Sequence, residues 1–133
     1  MSHRPHTVLI VGATGSVGRC AVAEALQQGY AVRALVRDRT RAARMLPDGV
    51  DLFIGDLTRP GTLGPATDGV DAIVFTHGTT RPGVAYAQWK LRGERLVRAS
   101  GNPYTIVRPG WFDYNQPGQR KIVMLQGDRR RAG

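Results

Sequence analysis

Two residues in the stretch YAQWK, Tyr86 and Lys90, have the types and spacing for proton chemistry. On a helix, positions four apart are neighbours on one face. A phenol with a pKa near about 10 needs a cation that close to ionise at working pH. The pair reads either as a catalytic acid with its helper or as an edge tyrosine beside a solvated lysine. Which of the two applies depends on what the preceding chain builds.

A second constellation lies far upstream. GATGSVG sets Gly12, Gly15 and Gly18 at three-residue intervals, straight after an apolar run and at the start of a helix-forming segment. A tight strand-to-helix turn needs permissive dihedrals. A pyrophosphate needs close backbone approach and the free N–H groups of a helix N-terminus. Gly18 would let the helix pack closely on the strand. In that context the trio signals dinucleotide binding, with Thr14, Ser16 and Val17 expected to share the contact.

The discriminating position is the end of the next strand, LVRDR. An acidic residue there holds a ribose 2′-hydroxyl, whereas an arginine accommodates a 2′-phosphate. Arg37 comes first, and its guanidinium fork suits phosphate. NADP(H) is therefore favoured, and Asp38 keeps NAD(H) open. In GDL, Asp56 either accepts from an adenine amino group or caps the following turn, with Leu57 beside it. Thr76, His77 and Gly78 end a further strand at the carboxyl edge, where ligands bind. They are expected to line the cofactor by backbone, His77 being a bystander to the chemistry.

The elements that must position these residues follow from the pattern. TVLIVGATG opens with a run suited to a strand buried on both faces. A helix over 16–29 follows, then a strand over 30–36, a short basic helix over 39–46 and a strand over 50–55. A weak helix or turn over 59–69 leads to a strand over 70–78. Alternation at these spacings implies βαβ units and a parallel sheet, with right-handed crossovers placing helices on both faces. The expected fold is α/β, a doubly wound parallel Rossmann-like sheet in one domain over 1–133. Beyond it, a helix is expected over 84–100 and strands over 103–109 and 121–127. At about 100° per residue, Ala85, Trp89, Gly93, Leu96 and Val97 form an apolar stripe on that helix. Leu91 is an exposed misfit, and Tyr86 and Lys90 sit at the stripe's edge.

Composition removes several function classes. The single cysteine, Cys20, rules out an intramolecular disulfide and a cysteine-rich metal site, and its small neighbours suggest a packed residue. No long apolar run marks a membrane span or signal peptide, so a cytoplasmic location is expected. The net charge of +9 comes almost wholly from scattered arginine. Nucleic-acid binding usually needs a clustered patch and a docking motif, so that class is disfavoured and no metal is expected.

GATGSVG, VRALVRD, GDL and YAQWK together resemble the short-chain dehydrogenase/reductase superfamily. The three-glycine form and NPYTIVRPGWF resemble its atypical, NmrA-like NAD(P)H-binding branch. The resemblance implies that Tyr86 is the acid/base, and that Lys90 lowers its pKa and holds the nicotinamide ribose. It also implies that Arg108, Pro109 and Gly110 border the pocket of a small carbonyl, quinone or related substrate. It further implies pairing of two copies through the long helix, and it includes non-catalytic NADP(H)-sensing regulators as the alternative. Two departures stand out. The family has a further helix and strand before the YxxxK helix, with a catalytic serine or threonine at the strand end. Here only TTRPGVA intervenes, so one helix–strand unit is absent between residues 78 and 84. The chain also stops at RRRAG, leaving a rudimentary C-terminal substrate region.

Overall fold

The computed structural model describes residues 6–76 and 84–107, without the side chains of 84–87 and 89. The chain divides into two compact units, Met1–Tyr86 and Ala87–Gly133. The first contains β1 (Thr7–Val11), α1 (Ser16–Gln27), β2 (Ala31–Val36), α2 (Arg39–Met45), β3 (Val50–Ile54), α3 (Gly64–Thr67) and β4 (Ala72–Phe75). Helix α4 (Val84–Ala99) runs from the first unit into the second.

All four strands are parallel, in the order β3-β2-β1-β4. Val8, Leu9, Ile10 and Val11 are all buried, as a central strand covered on both faces requires. On one face Val8, Ile10, Val32, Ala34 and Val36 meet Val22 of α1 and Ala42 of α2. On the other, Leu9, Val11 and Leu35 meet Ala66 of α3, with Leu63 and Phe53 packed alongside. Helices on both faces make the sheet doubly wound. Leu9, Ile10, Val22 and Val32 are the largest fully buried side chains, each worth about 1.5–3 kcal/mol.

The two edges of this sheet differ. At β3, Arg39 donates to the Leu52 carbonyl at 3.0 Å and occupies part of the ladder edge. An open groove lined by Arg39, Val50, Phe53 and Pro65 runs beside it. At β4, no further strand pairs among the described residues, and Ile73, Val74 and Phe75 are 43%, 39% and 59% exposed.

As expected of a weak helix or turn, the segment 59–69 forms a 3-10 turn (Pro60–Thr62) and the single turn of α3, interrupted by glycines. Arg33 of β2 fixes this segment: its guanidinium stacks over Phe53 at 4.9 Å and donates to the Ala66 and Asp68 carbonyls. The fourth strand starts at Ala72, and just ahead of it the Asp71 carboxylate accepts from the His6 and Thr7 N–H groups, both at 2.9 Å. Cys20 is exposed, not packed. It lies two residues, about 200°, from both Gly18 and Val22, the buried residues of α1.

Leu91 is exposed as expected, but so is Leu96, at 64%. The described residues of the second unit offer α4 no other helix or strand to cover that stripe. Residues 103–107 form no strand; Pro103 has no N–H for a ladder. The expected strand over 121–127 lies outside the described residues.

Candidate functional site

Parallel strands bring their carboxyl ends to one edge, and the register aligns those ends closely. Val11 pairs with Leu35 and with Phe75, and Val36 pairs with Ile54. The residues that follow, Gly12, Arg37, Gly55, Asp56 and Thr76, therefore share a single rim.

At the centre of the rim is the carbonyl oxygen of Gly12. It accepts from the Gly15 N–H at 3.1 Å, closing the turn that Gly12 permits with its φ of +82°. A Cβ on Gly18 would stand 1.9 Å from the same oxygen and 2.8 Å from Ala13 Cα. Only a hydrogen fits there, so α1 starts hard against the loop. Gly15 is the N-cap and offers no side-chain cap, and the first turn of α1 contains no acidic residue. The positive end of that helix is left for an external acceptor. Ser16 and Val17 are exposed beside it, and Thr14 is half-buried.

Thr76 has a role that its sequence position did not reveal. Its N–H donates to the Val11 carbonyl at 2.9 Å. Its hydroxyl lies 2.9 Å from the Val11 oxygen and 3.1 Å from the Gly12 oxygen, with one proton to share. A side chain, and not only backbone, thus ties the end of β4 to the glycine loop. Replacing Thr76 with valine should cost about 1 kcal/mol in urea unfolding, and serine should restore it. Equal loss in both variants would place the effect in packing rather than in the hydroxyl.

At the end of β2, the three charged residues separate by task. Asp38 caps α2, accepting from the Arg41 N–H at 3.0 Å. Arg39 is committed to Leu52. Arg37 is exposed and makes no hydrogen bond to a described residue. Asp56 takes up the turn-capping role: its Oδ1 accepts from the Thr58 N–H at 2.9 Å and hydroxyl at 2.7 Å. These bonds hold its carboxyl below the usual carboxylate range, helped by the nearby charges of Arg37 and Arg59. The Asp56 N–H in turn donates to Thr62 Oγ1 at 2.9 Å, a support with no evident signal in the sequence. Leu57 stands exposed next to it.

Tyr86 and Lys90 both lie on α4, one turn apart, and Lys90 is exposed. His77 and Gly78 lie outside the described residues, as do Arg108, Pro109 and Gly110. Among the described residues, no cluster of His, Cys, Asp or Glu could hold a metal ion, and no helix is long and apolar enough to cross a membrane.

Known proteins place this arrangement. A family model described as NAD(P)H-binding matches residues 12–84 and 83–133, two blocks that meet at residues 83–84. The photosystem II assembly factor Ycf39 of Trieres chinensis is 43% identical over 76 residues, 57% of this chain and 24% of its own length. An NAD(P)H azoreductase from Xenophilus azovorans is 27% identical over 153 positions, covering 91% of this chain and 54% of its own. That alignment is longer than the 133 residues of this chain, so part of the azoreductase within it has no counterpart here. An NADPH-dependent quinone oxidoreductase from Escherichia coli superposes with a TM-score of 0.65 over 79% of this chain and 48% of its own. Its 23% identity makes this a likeness of fold alone. The chain spans about half or less of the length of each of these proteins.

Proposed function

Because the chain belongs to the NAD(P)H-binding family, we propose that its function rests on holding NADP(H) at the glycine-loop rim. The observation that supports this most is the Gly12 carbonyl packed against Gly18, which leaves the N-terminus of α1 open beside a loop without side-chain bulk. Thr14, Gly15, Ser16, Val17 and Gly18 would receive the pyrophosphate. Arg37, exposed at the end of β2, would pair with the 2′-phosphate. Asp56 and Leu57 would face the adenine, and Thr76, His77 and Gly78 would continue the lining.

When bound, the cofactor supplies a hydride. One use of it is reduction of a small carbonyl, quinone or related compound, in the manner of the atypical, NmrA-like short-chain branch. Tyr86 would hold and release the substrate proton at its phenol oxygen, and Lys90 would lower the phenol pKa and hold the nicotinamide ribose. The spacing of this pair on α4 favours that use. The test is titration with NADPH and NADH by nicotinamide fluorescence, then a carbonyl and quinone screen. Tyr86→Phe should lose turnover by about 100-fold or more while its NADPH affinity holds. Turnover equal to the unmodified chain in that variant would falsify the catalytic assignment.

The second use is regulatory, NADP(H) being bound but not consumed. The short link between β4 and α4, residues 76–83 only, favours it, and so does the likeness to Ycf39, named as an assembly factor. Binding without consumption across the same screen is the outcome this reading expects.

A further inference from the structure

The net charge of +9 is not shared evenly between the two units. Residues 87–133 hold ten Lys or Arg against three Asp or Glu, whereas residues 1–86 hold nine against seven. The second unit thus carries +7 and the first only +2. Charge segregated in this way points to an anionic partner.

In the described part of the second unit this charge is set on α4. Arg92, Arg95 and Arg98 follow at three-residue intervals and are all exposed, as is Lys90. Leu91, among them, is 47% exposed. By helix geometry Arg95 lies about 40° to one side of Leu91 and Arg98 about 20° to the other. An apolar side chain is thereby framed by two guanidinium forks. Glu94, the only acidic residue of α4, stands at the border of this face, about 60° from Leu91. The Arg98 guanidinium stacks over the Tyr104 ring at 5.6 Å. Stacking uses the flat face of the group and leaves its N–H edge able to pair with a carboxylate. It also lowers the freedom that Arg98 would lose on pairing.

We propose that the face of α4 centred on Leu91, Arg95 and Arg98 docks an acidic, amphipathic protein segment. Its carboxylates pair with the guanidinium forks, and an apolar side chain between them covers Leu91. Three other occupants fit less well. A nucleic-acid backbone offers phosphates but nothing apolar for a leucine at the centre of the face. A lipid surface takes up apolar residues gathered on one side of a helix, and the exposed Leu91 and Leu96 are about 140° apart. A second copy would bring two units of +7 together. The proposal does not depend on the NADP(H) reading, and either can fail alone.

The full 133-residue chain is titrated against a labelled helical peptide of Glu with Leu on one face, followed by fluorescence anisotropy. The same peptide with Ser for Leu, a DNA duplex and phosphatidylserine vesicles are the competing probes. The Glu/Leu peptide should bind most tightly, with an affinity that falls as salt rises. The Ser peptide should bind about fivefold or more weaker. Arg95→Gln with Arg98→Gln should weaken the Glu/Leu peptide by about tenfold or more, with helix content by circular dichroism unchanged. Arg41→Gln with Arg44→Gln removes the same charge from the first unit and should change binding by less than about twofold. Equal loss in the two double variants, or equal affinity for the two peptides, overturns the proposal in favour of bulk charge alone. Tighter binding of the duplex or the vesicles overturns it in favour of a nucleic acid or a lipid surface. A dimer in sedimentation that Leu91→Ser dissociates gives the face to a second copy, and no binding of the Glu/Leu peptide removes the site.

Discussion

Gly18→Ala is expected to abolish NADPH binding and to lower the Tm by several degrees. The added Cβ would lie 1.9 Å from the Gly12 oxygen, 2.7 Å from the Gly12 carbonyl carbon and 2.8 Å from Ala13 Cα. All three are backbone atoms, so no side chain can swing aside to make room. The helix must retreat from the strand or the loop must open. Forcing one methyl into a closed contact typically costs about 1–3 kcal/mol. The oxygen displaced is the one that receives the Gly15 N–H and the Thr76 hydroxyl, so the turn and the β4 latch are disturbed together. Gly61→Ala is the control, because a Cβ there meets nothing within 4 Å. Tm by circular dichroism and NADPH fluorescence titration give the two readouts. Native affinity in Gly18→Ala would mean that the loop is not the binding element.

Arg37→Gln is expected to weaken NADPH binding by about 10- to 100-fold and to leave NADH binding within about twofold. A hydrogen bond to a charged group is worth about 1.5–3 kcal/mol, and about 1.4 kcal/mol is tenfold in affinity. The arrangement of neighbours gives the prediction its direction. Asp38 is occupied as the cap of α2 and Arg39 by the edge of β3, so of the three charged residues that end β2 Arg37 is the one whose side chain makes no hydrogen bond to a described residue. Glutamine keeps much of the reach and removes the charge. Parallel loss of both cofactors would instead assign Arg37 to the shape of the rim, and no loss of either would move the 2′-phosphate elsewhere.

What could be read from the sequence is what local physics dictates. The buried strand Thr7–Val11, the glycine loop and the first helix follow from periodicity and from turns that only glycine can make, and they stand where expected. Residues whose roles depend on distant partners were illegible. Arg33 looks like a surface residue of an ordinary strand, yet it secures α3 through two carbonyls more than thirty positions away. The Thr76 hydroxyl finds its acceptors 64 and 65 positions upstream. The turn-capping role of Asp56 became legible only with Thr58 folded back upon it. Cys20 was misread because small apolar neighbours say little about which way a helix faces. The stripe through Leu96 misled for another reason: amphipathicity announces a partner, and the described part of the second unit supplies none.

The unlike edges of the sheet bear on how this molecule would associate with itself. Strand-to-strand growth into a filament needs two receptive edges on every subunit, one for each neighbour. Among the described residues, Arg39 fills one acceptor on the β3 side, the Leu52 carbonyl, and no strand pairs with the outer side of β4. A subunit with one receptive edge can satisfy it against the same edge of a twin, across a two-fold axis. Edge pairing of that two-fold kind closes at two copies, whereas pairing through both edges would propagate.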